Sequence, residues 1–124
     1  MKSAQTETPH RYVVVVGGGR NFTNAPHLYN TLNRLHEERK FTRLVQGAAR
    51  GADTYALVWA KSHYVDWESY PAKWRTHGRE AGYIRTCEML DVEKPDLAVI
   101  FPGDEGTAIL AHEARKRQIE TVYG

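Results

Sequence analysis

The stretch Asp96 to Ala114, DLAVIFPGDEGTAILAHEA, constrains the fold more than any other part of the chain. Leu97 to Phe101 is a short apolar run, as expected of a strand covered on both faces in a parallel sheet. Pro102, Gly103 and Gly106 break the run, and from Thr107 the residues Ala111 and Ala114 recur at helical spacing beside Leu110. The glycine-bearing turn thus joins a strand's carboxyl end to a helix's amino end. Unpaired N–H groups and the positive end of the helix dipole make such a turn favourable to phosphate or carboxylate.

Two further turns of the same kind lie upstream. Tyr12 to Val16 is a β-branched run ending in Gly17, Gly18 and Gly19, with Arg20, Asn21 and Phe22 next. Asn24 can cap a helix that begins at Ala25 and Pro26 and buries Leu28, Leu32 and Leu35. Arg43 to Gln46 predicts a second strand, and the turn GAARGAD after it leads to a helix with Ala52, Tyr55, Ala56, Trp59 and Ala60 on one face. Tyr64 to Tyr70 predicts a third strand, stopped by Pro71. A loop rich in Lys, Arg, Trp and His follows to Gly78, then a helix marked by Tyr83, Cys87 and Leu90 with Ile84 alongside. Glu120 to Tyr123 predicts a fifth strand.

Strands alternating with helices through five rounds predict an α/β fold, a Rossmann-like doubly wound sheet of about five mostly parallel strands in the order 3-2-1-4-5. That order sets the first and fourth strands side by side, so GGGRNF and FPGDEGT face one crevice with GAARGAD beside them. Residues 1–10 are expected to be a flexible arm and residues 11–124 one domain. Nothing at the amino end resembles a signal peptide, no run is long enough for a membrane span, and the lone Cys87 excludes an internal disulfide; a cytoplasmic protein that makes no membrane contact is expected.

The ordered set GGRNFTN, GAARGAD, PAKW, AGYIRTCEM and VIFPGDEGT resembles the SLOG superfamily, closest to its YspA-like branch related to YpsA, from about Tyr12 to Tyr123. The resemblance implies a Rossmann-like fold binding nucleotides or nucleotide-derived ligands in the crevice, in bacteria and their phages, commonly as a homodimer. Two positions depart from the branch's pattern: Thr86 follows Arg85 where the branch reads RNxxM, and Asp104 replaces the second glycine of PGGxGT. The superfamily's phosphoribohydrolases carry a Glu in PGGxGTxxE to assist cleavage of the ribosyl bond. Here Ala108, Ile109 and Leu110 follow Gly106 and Thr107, which disfavours that mechanism, and Glu113 reads as a solvated helix residue. Asp53, Glu80, Glu88 and Asp104 remain as acids or bases, with no motif that makes any of them catalytic.

The nucleotide site is therefore expected from Gly18, Gly19, Arg20, Asn21 and Phe22 of the first turn, and from Gly47, Arg50, Gly51 and Asp53 of the second. Lys73, Trp74, Arg79 and Arg85 come from the segment between, and Pro102, Gly103, Asp104, Gly106 and Thr107 from the central turn. Guanidinium forks suit phosphate oxygens. Phe22 and Trp74 serve either to stack on a base or to pack the core. An ionised Asp104 beside a phosphate costs Coulomb energy, so it must point away, accept N–H bonds from its own turn or hold a hydrated cation.

The six histidines have no metal-site spacing, and no cofactor or metal is expected. A formal charge of +2 argues against extended nucleic acid. Tyr55, Trp59, Tyr64 and Tyr83, read as helix residues, offer aromatic surface for a homodimer. A nucleotide-binding sensor is thus the first reading, an N-glycosidic hydrolase the second, and a module for single-stranded nucleic acid or a partner protein the third.

Overall fold

The computed structural model describes residues 10–124. Of the expected arm, only His10 falls among them, its ring Nε2 2.9 Å from the Lys40 carbonyl oxygen; residues 1–9 lie outside the described part. The elements run β1 (Val13–Gly17), α1 (Ala25–Arg39), β2 (Arg43–Gln46), α2 (Ala52–Ser62), β3 (Asp66–Ser69), α3 (Trp74–His77), a 3-10 turn (Gly78–Glu80), α4 (Ala81–Glu93), β4 (Leu97–Ile100), α5 (Glu105–Lys116) and β5 (Glu120–Tyr123). The five strands form one sheet in the order β3-β2-β1-β4-β5. Each neighbouring pair is parallel. This is the doubly wound order that the alternation of apolar runs and helical stripes predicts.

Strand alternation divides the core between the two faces. Val14, Val16, Leu44, Leu97 and Val99 meet Leu28, Leu32 and Leu35 of α1 and Ala56, Trp59 and Ala60 of α2. Val13, Val15, Val45, Ala98 and Ile100 meet Met89 and Leu90 of α4 and Leu110, Ala111 and Ala114 of α5. The β1 run is therefore apolar without interruption because helices cover both its sides. Asn24 caps α1 by accepting the His27 N–H at 3.2 Å, with Pro26 in the first turn, where a missing N–H costs nothing.

Several local readings need correction. α5 begins at Glu105, ahead of Thr107, because Asp104 is its N-cap. The loop after Pro71 contains α3 and the 3-10 turn. Glu113 is not solvated: it is 4% exposed, accepts a hydrogen bond from Arg117 at 2.6 Å, and faces α4 near Cys87. On α4 itself the buried residues are Ala81, Thr86, Met89, Leu90 and Glu93, while Tyr83 is exposed, so the inward face is rotated from the Tyr83–Cys87 line. Of the aromatics read as helix surface, Trp59 is buried and donates its indole N–H to Asn33. Tyr55 packs edge-on against Phe22 and Tyr29. Tyr64 is exposed but lies in the turn after α2. Among the described residues no helix is long and apolar enough to cross a membrane.

Candidate functional site

Register builds the site. Val16 pairs with Val99 and Gly17 with Ile100, so β1 and β4 end level and their turns leave side by side. The two turns bond to each other: the Gly19 N–H donates to the Pro102 carbonyl at 2.9 Å, and the Phe101 N–H to the Gly17 carbonyl at 2.8 Å. A side chain on Gly19 or Gly103 would collide with the opposite turn, and one on Gly51, at φ +78°, would strike the Gly19 carbonyl. Close packing of turn on turn thus accounts for these three glycines.

Beyond the strand ends lies a cavity of about 610 Å³. Of the expected site residues, the first turn contributes Gly18 and Arg20, and the second Gly47 and Asp53. Trp74 and Arg85 enter from α3 and α4, and Asp104, Gly106 and Thr107 from the start of α5. The remaining nine do not line it. Gly19, Gly51 and Gly103 support the turns, with Pro102 as the acceptor between them. Asn21, Arg50, Lys73 and Arg79 are exposed elsewhere on that edge. Phe22 packs against Phe101, ring centroids 5.4 Å apart, so the core takes this aromatic, whereas Trp74 stays 52% exposed at the cavity.

The turns' own side chains and carbonyls occupy much of the backbone donor set. Asp104 Oδ1 accepts the Gly106 N–H at 3.2 Å, the second of its three expected roles. The Ala48 N–H donates to Gln46 Oε1 at 2.6 Å, and the Ala49 N–H to Asp53 Oδ2 at 3.1 Å. With Asp104 and Glu105 both at the head of α5, most of the positive charge in the cavity comes from Arg20 and Arg85.

Arg85 reaches in from α4 and is anchored through NH1, which donates to the carbonyls of Gly47 and Tyr70. Burial and the nearby Arg20 charge lower its pKa, against the pull of Asp53. Asp53 is 6% exposed. Burial pushes its carboxyl up to about 6, opposed by the Ala49 N–H, the Arg85 charge and, to a lesser extent, the Gly47 backbone. A Cβ on Gly47 would lie 2.5 Å from the Arg85 guanidinium and 3.1 Å from Asp53 Oδ2, so a side chain there would displace the end of Arg85.

Sequence reasoning passed over several lining residues. Ala48 and Ala49 line the cavity, and Ala48 holds φ +64°. Thr86, Met89, Glu105 and Leu110 also line it. Gln46 Oε1 accepts the Ala48 N–H, and one signal for it lies in the sequence: a polar side chain, 1% exposed, at the end of an apolar strand. Leu110 stands where the resemblance places the phosphoribohydrolase Glu, and it is buried against Gly17.

A family model described as YspA, cpYpsA-related SLOG matches residues 12–77, which carry β1 to β3 and two of the three turns. The chain belongs to this SLOG family. It is also similar to the Gene 61 protein of Mycobacterium phage D29, 31% identical over 117 residues that cover 88% of this chain and 93% of the relative. A phage relative agrees with the bacterial and phage distribution that the resemblance implies. The SLOG match ends before Arg85 and the FPGDEGT turn, so the α4 and α5 walls of the cavity lie beyond the matched residues.

Proposed function

We propose that this SLOG domain binds a nucleotide or nucleotide-derived ligand in the cavity at the strand ends, as a sensor or regulatory module. The observation that carries the reading is the convergence of Arg20, Arg85 and the exposed Trp74 ring on one cavity. Guanidinium groups bind phosphate oxygens in pairs, and an aromatic face stacks on any base. A volume of about 610 Å³ lies within the range of small-ligand sites. Leu110 in place of a catalytic Glu favours binding over the Glu-dependent hydrolysis of related phosphoribohydrolases. The reading includes a cytoplasmic protein that pairs as a homodimer, with Tyr83, 46% exposed, on the helix that also carries Arg85.

Titration of nucleoside mono-, di- and triphosphates against wild type, Arg20→Ala and Gly106→Val tests the site. Gly106 lines the cavity, and its added Cβ would meet nothing closer than Asp104 Oδ1 at 3.6 Å, so Gly106→Val narrows the cavity with little effect on the core. Binding weakened about tenfold or more in both variants is expected from loss of a charge-assisted contact and of close approach. No binding by wild type, or equal binding by all three proteins, would overturn the reading. Light scattering with and without nucleotide tests assembly; a strict monomer in both removes the homodimer.

A further inference from the structure

Asp53 and Arg85 hold hydrogen-bonding capacity that the fold does not use. Among the described residues, Asp53 accepts one hydrogen bond, at Oδ2 from Ala49, and enters no ion pair within 4 Å. Arg85 donates from NH1 alone, which leaves NH2 and Nε without a protein acceptor. No buried side-chain nitrogen or oxygen among the described residues lacks a partner. The unused atoms of Asp53 and Arg85 are therefore not sealed in the core, and both residues line the cavity. The site thus presents a nearly buried carboxylate oxygen and guanidinium N–H groups to the same space.

That combination fits hydroxyl groups. A phosphate would be repelled by the carboxylate, and a carbonyl would leave it without a donor, whereas each hydroxyl donates once and accepts as well. Two adjacent hydroxyls can donate to Asp53 while accepting from Arg85. Resting on the reading of this cavity as a nucleotide site, we propose that Asp53 and Arg85 read the vicinal hydroxyls of a ribose, so that the ligand class is ribonucleotide. The phosphate then lies toward Arg20 and the base toward Trp74. Burial raises the Asp53 carboxyl to about 6, so at pH 7.5 it is mostly ionised and serves as an acceptor.

Calorimetric titration at pH 7.5 compares adenosine, guanosine, cytidine and uridine 5′-monophosphates with their 2′-deoxy counterparts and with ribose 5-phosphate. The expected result is a preference of about ten- to a hundredfold for the ribonucleotide over its deoxy form, the worth of a hydrogen bond to a charged group. In Asp53→Ala and Asp53→Asn that ratio falls toward one in both, with melting curves showing that each variant is folded. Equal binding of ribo and deoxy forms by wild type overturns the inference and leaves the nucleotide reading standing. So does a ratio that survives both variants. Wild type that binds no nucleotide overturns the reading beneath it. Ribose 5-phosphate bound as tightly as any nucleotide supports the hydroxyl contact and overturns the role of the base.

Discussion

Two buried carboxylates stand in opposite conditions. Glu93, at the end of α4, accepts bonds from Arg43 Nε at 2.8 Å and NH2 at 3.0 Å, and from the Tyr70 hydroxyl. These bonds, Arg43 foremost, hold its pKa below the ordinary carboxylate value. Asp53, at the head of α2, has one backbone donor, and burial drives its pKa upward. The contrast extends to the two edges of the sheet. Ion pairs among the described residues join Arg11 to Asp96, Arg39 to Glu120, Arg43 to Asp66, Glu68 and Glu93, and Arg117 to Asp91 and Glu113. They gather where strands begin and helices end. Arg20, Arg85, Asp53, Asp104 and Glu105, at the other edge, enter none of these pairs. One edge satisfies its charges internally; the other leaves charge unpaired at the cavity, at a cost in stability.

Removing Arg43 tests the first edge with the largest expected effect. Arg43→Ala leaves Glu93 buried with only the Tyr70 hydroxyl, and a loss of about 2–3 kcal/mol is expected, below the full value for a buried pair because Arg43 is partly exposed. Glu93 has a depressed folded pKa, so the pair contributes stability above the unfolded carboxyl pKa and loses it as pH falls through the lower folded value. Urea denaturation at pH 7 and pH 3 should show the deficit shrinking in acid. A pH-independent deficit would place the cost in packing alone.

Asp53→Asn should act in the opposite sense. The folded carboxyl titrates at about 6, above its unfolded value, so ionised Asp53 destabilises the fold increasingly as pH rises from about 4 to 6. The variant is expected to gain on the order of 2 kcal/mol at pH 8, and less at pH 4, where the carboxyl is protonated in wild type. Lower stability at pH 8 would mean that Asp53 is structural, and the contrast with Glu93 would fail. The smallest effect belongs to Ala48, whose φ of +64° strains a side chain that lines the cavity. The other non-glycine residues at positive φ, Lys40, Tyr64, Lys94 and Gln118, follow helix ends. Ala48→Gly should stabilise by about 1 kcal/mol in thermal melts. No gain would mean that the Gln46 bond to its N–H already offsets the strain.

The amino-acid sequence by itself determined the sheet. Val13 to Val16 is apolar at every position because helices cover both faces, and each run ends at a turn residue that names the next element. Those are local signals, set by periodicity and backbone chemistry; with right-handed crossovers and the usual doubly wound order they led to the strand order. Parts of the cavity lining were legible for the same reason: the turns holding Gly18, Arg20, Gly47 and Gly106 sit where strands end.

Tertiary packing decided the rest. Whether a turn's N–H groups face a ligand or each other depends on partners far along the chain, as Gly19 shows by bonding to Pro102 across 83 positions. Phe22 was lost to Phe101 and Trp74 kept for the cavity by the same kind of contact, which no spacing rule encodes. Glu113 pairs with Arg117, the C-cap of its own helix, but what buries Glu113 is the neighbouring α4. The environment of Asp53 follows the same logic: an Asp in the first turn of a helix reads from sequence as a favourable dipole contact, and only the packing of Gly47 and Arg85 around it makes it a buried group with a free oxygen. Burial and electrostatics sum over neighbours in space, and those neighbours come from segments that the sequence alone leaves apart.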